Sequence, residues 1–256
     1  MIFSRATKPV EDDVSLRPAL IVPWWEVLGV SIVMMSVGIV GSALFYLTHP
    51  EGSFYLLISD RFFLTDGALK SFMLACFLLY LRKRGWKPDD FRIRIGWIGT
   101  LRGLELLVFT YGGFWAITMF SRFMIWVMGP TPYVFLANLF VPAHIAIPRD
   151  GFHIGWITLL VFTVLNAFSE ELIYMAYGFN LWAAKYGPRT AVLFSILARL
   201  SVHTYQGTEH ILPIATWAVL FGVWYRYHRT VWPLIVAHMM IDLISVGQLK
   251  LFYGAH

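Results

Sequence analysis

Apolar residues run along this chain in long blocks, and polar residues collect in the short gaps between them. A membrane-spanning helix needs roughly 20 mostly apolar residues. Blocks of this kind fall at about 20–47, 67–81, 103–128, 154–178, 190–204, 211–225 and 231–247. The pattern predicts seven transmembrane helices. An eighth follows if the short apolar run 133–147, bounded by Pro142 and Pro148, crosses rather than lying in the interface or re-entering. The first block opens on Pro23-Trp24-Trp25, aromatics suited to the membrane interface, with Glu26 beside them, and it ends before His49-Pro50-Glu51. Its length and the lack of a small-residue cleavage site predict an uncleaved first helix.

The polar gaps orient the bundle. Residues 49–66, with Asp60, Arg61 and Asp66, read as a loop or surface helix, and Lys70 is expected to snorkel outward from the start of the second span. Glu105 and Arg122 fall near the two ends of the third span, which Gly129-Pro130-Thr131-Pro132 terminates, and Tyr205-Gln206-Gly207 marks a turn. Three gaps are basic: Arg82-Lys83-Arg84 with Lys87, Arg92 and Arg94; Lys185 with Arg189; and Arg226-Tyr227-His228-Arg229. Seven spans put all three on one side. Loops rich in Lys and Arg stay in the cytoplasm, which predicts a multi-pass protein of the cell membrane with a cytoplasmic N-terminus.

Composition agrees. Of 256 residues, 58% are hydrophobic and 14% charged, against about a quarter charged in soluble domains. The expected fold is an all-α polytopic bundle. Residues 1–256 form one integral membrane domain, and 154–247 carry the motif-bearing helices. The net charge of +5 sits in loops beside apolar segments, so the partners expected are membrane lipids and no nucleic acid. A lone Cys76 excludes an intrachain disulfide.

The candidate chemistry lies at membrane depth. Glu170 and Glu171 are adjacent in an apolar run, and a charge near the bilayer centre costs about 2.5–3.5 kcal/mol on insertion scales. Later spans carry His203, then His238 with Asp242. His238 and Asp242 are four residues apart and share a helix face, as do Asn166 and Glu170. Converging faces would enclose two carboxylates and two imidazoles. Such a set can activate water and stabilise an oxyanion. Glu170, His203 and His238 are also competent ligands should a divalent metal such as zinc bind, although nothing in the sequence demands a cofactor. Bland roles stand beside these: a proton-relay or structural carboxylate pair, a core histidine, and a His–Asp pair that locks helix packing.

Glu170-Glu171, then His203 after an apolar helix, then His238-Met239-Met240-Ile241-Asp242 resembles the CPBP family of intramembrane proteases, which includes the CAAX prenyl endopeptidases. The resemblance covers about residues 160–245. It implies an endopeptidase acting on a membrane-associated or C-terminally processed peptide or protein. Glu170 would be the general base, His203 would help hold the water, and His238 with Asp242 would stabilise the oxyanion; Glu171 belongs to the same catalytic set with an architectural part. Two positions depart from the family pattern. The arginine four residues past the second glutamate is Met175, and the phenylalanine four residues before the first histidine is Arg199. Arg199 shares a face with His203, so it can cross to Glu171 and supply the missing cation. Two alternatives stay open: a non-proteolytic membrane scaffold or immunity protein of the same fold, and a proton-coupled transporter. The sequence leaves the oligomeric state open.

Overall fold

The computed structural model describes residues 22–26, 28–30, 32, 33, 40, 47, 59–128, 154–203 and 211–253. Most of the predicted first span, the run 133–147 and the turn at 205–207 lie outside these residues. Among the described residues the chain is helical and forms no sheet. From residue 60 onward the described residues form seven α-helices: α1 (Asp60–Lys83), α2 (Trp97–Met128), α3 (Trp156–Glu170), α4 (Asn180–Tyr186), α5 (Pro188–Val202), α6 (Ile211–His228) and α7 (Trp232–Tyr253). A π-helical stretch, Glu171–Phe179, joins α3 and α4 into one rod. Among the described residues, α1, the rod Trp156–Tyr186 and α7 to Phe252 are long and apolar enough to cross a membrane.

Helix α1 begins earlier than the hydrophobic pattern predicts. The Ser59 hydroxyl accepts from the Phe62 N–H at 3.3 Å and caps the helix, and Asp60 occupies the first turn, where the helix dipole favours a negative charge. Residues 60–66 are therefore the opening turns of the span.

Contacts along the helices fix their directions. Asp60 accepts from the Gly155 N–H at 2.8 Å, Phe63 packs on Phe162 and Phe77 on Tyr177, so α1 and the rod run parallel. The Lys250 ammonium donates to the Ile154 carbonyl while His238 meets Glu171, so α7 runs against the rod. Trp232 donates to Thr100 and Tyr111 meets Ser245, so α2 runs with α7. The three basic loops consequently gather at one end of the bundle. Gly187, at φ 89°, turns the rod back into α5, a conformation that glycine adopts without a Cβ penalty.

The largest buried cluster joins the rod, α6 and α7 through Met175, Tyr177, Phe179, Phe221, Tyr225 and Leu234. Outward-facing Leu64, Phe72, Val108, Trp126, Ile157, Leu193 and Phe252 are exposed, Ile157 to 81%. Apolar surface on this scale would drive a soluble protein to aggregate and suits contact with lipid tails.

Candidate active site

The geometry starts with the hairpin about Gly187. Glu170 lies seventeen residues before it and His203 sixteen after it, so antiparallel packing of the rod on α5 sets them at the same level. Ending the fourth span at 178 would leave His203 deeper than Glu170; the rod's continuation to Tyr186 removes that mismatch. Glu170 is the last α-helical residue and Glu171 the first of the π stretch. A π turn widens the helix locally and often occurs at functional sites. From this junction the two carboxylates reach different partners.

Glu171 is fully buried. The Arg199 Nη2 donates to both of its oxygens, at 2.5 and 2.6 Å, so one amino group straddles the carboxylate. Arg199 is fully buried too, its guanidinium 4.6 Å from the Trp217 ring and 5.1 Å from Phe221. Faces of aromatic rings attract a cation, and this suits a guanidinium whose Nε and Nη1 have no hydrogen-bond partner among the described residues. Met175, at the position of the family's arginine, packs fully buried in the main core.

Glu171 also fixes His238. Its Oε1 lies 2.8 Å from His238 Nδ1. A carboxylate only accepts, so Nδ1 carries the proton, and Nε2 is the ring nitrogen turned toward the rest of the site. Facing Nε2 are the Asn166 Nδ2 at 3.4 Å, Asp242 Oδ2 at 3.5 Å and Glu170 Oε2 at 4.0 Å. Trp217 packs edge-on against the imidazole, with centroids 4.5 Å apart.

Glu170 Oε2 is buried without a hydrogen-bond partner among the described residues, 3.9 Å from His203 Nε2 and 4.0 Å from His238 Nε2. Polar atoms at this separation are too far apart for a direct bond and suit a bridging water. His203 is the C-cap residue of α5, one turn beyond Arg199, with Trp217 against its ring at 5.6 Å.

All five expected residues, Glu170, Glu171, His203, His238 and Asp242, thus meet in one cluster, and Arg199 joins it. Two further residues belong there. Asn166 donates to Asp242 Oδ2 at 2.7 Å and accepts from Lys70; its spacing of four from Glu170 was the signal. Lys70 corrects an expectation, for it does not snorkel outward. It turns inward and lies 3.5 Å from Glu170 Oε1 and 3.1 Å from Asp66 Oδ2.

Glu170, His203 and His238 are the right donor types for zinc, but their spacing is wide. Tetrahedral ligands at about 2.0–2.1 Å from zinc sit roughly 3.3 Å apart, against 3.9 and 4.0 Å here. Among the described residues no group of three His, Cys, Asp or Glu is arranged to hold a metal ion. The described arrangement does not fit a resident metal.

Residues 152–244 match the family model described as Rce1-like, a type II CAAX prenyl endopeptidase family. The matched segment is consistent with the CPBP resemblance and contains Glu170, Glu171, His203, His238 and Asp242; α1 with Lys70 lies outside it. No curated protein and no solved structure matches the chain.

Proposed function

We propose that this chain, of CPBP type across its motif-bearing helices, is an intramembrane endopeptidase that hydrolyses a peptide bond of a membrane-associated or C-terminally processed substrate. The observation that carries the reading is the triangle of Glu170 Oε2 with the two imidazole Nε2 atoms, a spacing that one water bridges. Glu170 takes a proton from that water while His203 holds it, and the resulting hydroxide attacks the peptide carbonyl. The tetrahedral oxyanion is stabilised by His238 in its imidazolium form, whose Nδ1–H stays on Glu171 while its Nε2–H donates to the oxyanion. Asp242, an acceptor when ionised, contributes by holding Asn166 and the imidazole in register. As the C–N bond breaks, Glu170 returns its proton to the leaving amine. Glu171 and Arg199 fix His238 from behind.

The basic loops at one end of the bundle support placing that end and the N-terminus in the cytoplasm of a cell-membrane protein. The family likeness and the exposed apolar surface support this substrate class.

The test is cleavage of a farnesylated CAAX-type peptide by the full chain in liposomes. Wild type should cleave it, and Glu170→Gln and His203→Ala should lose cleavage by at least about 100-fold while retaining the folded state. Equal cleavage by these variants would overturn the assignment. Intact biological activity in both would favour the non-proteolytic scaffold, and proton-dependent solute flux would favour a transporter.

A further inference from the structure

We propose that Lys70 is a positioning residue for Glu170, reaching the site from a helix beyond the matched segment; this rests on the peptidase reading. Lys70 is ten residues into α1, about 15 Å from its start at 1.5 Å per residue. That depth exceeds what a four-carbon stem spans, so snorkelling to the helix end is closed to it. The stem instead passes the Phe162 ring, with Nζ 5.3 Å from the centroid, toward the rod.

An ammonium has three donors and no acceptor. Around Lys70 Nζ stand Asp66 Oδ2 at 3.1 Å, Asn166 Oδ1 in direct hydrogen bond, and Glu170 Oε1 at 3.5 Å. Asp66 lies one turn back on the same helix and offsets the charge brought into an apolar bundle. Asn166 and Glu170 lie one turn apart on the rod, so one ammonium spans both.

Two consequences follow. Lys70 accounts for Glu170 Oε1, which leaves Oε2 to face the two imidazoles. It also sets the Asn166 amide: with Oδ1 accepting from a cation, Nδ2 must face Asp242 and His238. Without Lys70 the carboxylate can rotate about its terminal bond and the amide can flip. Lys70 then acts on catalysis through Glu170 and Asn166, without touching the substrate.

The experiment uses the full chain in liposomes with the farnesylated CAAX-type peptide. Misplacing a catalytic group by about 1 Å can cost on the order of 100-fold in rate, so Lys70→Met should lower kcat on the order of 10- to 100-fold, with KM within about twofold. Lys70→Arg, which keeps a cation, should recover most of the rate. A thermal-unfolding double-mutant cycle in detergent, with Lys70→Met, Glu170→Gln and both, reads the coupling without turnover. Non-additive losses are expected. Additive losses, or a kcat for Lys70→Met within twofold of wild type, would overturn the proposal. If wild type cleaves no such peptide while the cycle remains non-additive, the peptidase reading fails and the Lys70–Glu170 link stands.

Discussion

Arg199 and Glu171, twenty-eight residues apart in the chain, form a fully buried ion pair in which one guanidinium nitrogen serves both carboxylate oxygens. The pair sits directly behind His238, whose Nδ1 shares Glu171 Oε1 with the arginine. A cation supplied from α5 thus pairs with Glu171, while Met175 holds the rod position at which the family pattern has an arginine.

This substitution of one cation for another is testable by exchange. Removing one partner of a buried ion pair typically costs about 3–5 kcal/mol, because the other charge stays buried without compensation. Arg199→Phe should therefore destabilise the protein by that amount and abolish cleavage. Adding Met175→Arg returns a cation one turn from Glu171. The double variant should recover more than half of the lost stability in detergent unfolding, and measurable activity with it. A double variant no better than Arg199→Phe would sink the idea that the two positions do the same work.

The adjacent glutamates should separate cleanly by assay. Glu170 has one oxygen near Lys70 and the other facing the imidazoles. Glu170→Gln keeps the shape and should cost less stability than Glu171→Gln, its loss coming from the link to Lys70, while removing the general base. Glu171→Gln leaves Arg199 buried beside a neutral amide and should cost about 3–5 kcal/mol. Paired thermal melts and cleavage rates check both. A Glu170→Gln protein that still cleaves at the wild-type rate would remove Glu170 from the mechanism.

How far the site was legible in the sequence depends on the type of signal. Glu170, Glu171, His203, His238 and Asp242 stood out because charge is costly in an apolar run, and helical spacing placed His238 with Asp242. Arg199 followed from the family resemblance: Met175 stands in place of the pattern's arginine and Arg199 in place of its phenylalanine, on the same face as His203. Lys70 misled, because a lysine near a span's start ordinarily snorkels; only the earlier start of α1 at Asp60, set by the Ser59 cap, puts it too deep to do so. The π stretch at Glu171–Phe179 left no trace in the hydrophobic pattern, since it keeps the residues apolar and alters only the turn. The number of crossings is likewise not fixed: α5 has 15 residues, about 22 Å at 1.5 Å per residue, short of a typical hydrocarbon core of about 30 Å.

Trp217 should act as the aromatic wall of the site. It lies 4.6 Å from the Arg199 guanidinium and packs against both His203 and His238. Trp217→Leu loses the ring face that a buried cation prefers, worth roughly 0.5–2 kcal/mol beyond the lost packing. Trp217→Phe retains a ring and should be the milder change in both stability and kcat. Equal effects of the two in parallel unfolding and cleavage measurements would show that the wall serves as bulk alone.

The bundle also depends on one close approach far from the carboxylates. A Cβ on Gly103 of α2 would stand 2.7 Å from Val236 Cβ and 2.8 Å from the Pro233 carbonyl oxygen on α7. Neither atom lies at the end of a flexible side chain, so relief requires the helices to part. Overpacking of this kind costs about 1–3 kcal/mol. Because α7 carries His238 two residues beyond Val236, the displacement should reach the site. Gly103→Ala is expected to lower both the melting temperature and kcat. Gly112→Ala is the matched control on the same helix: its Cβ meets nothing within 4 Å, and alanine is favoured over glycine in a helix interior by up to about 1 kcal/mol. It should leave cleavage unchanged and stability equal or raised. If the two alanines behave alike in unfolding, the α2–α7 contact does not hold the position of His238.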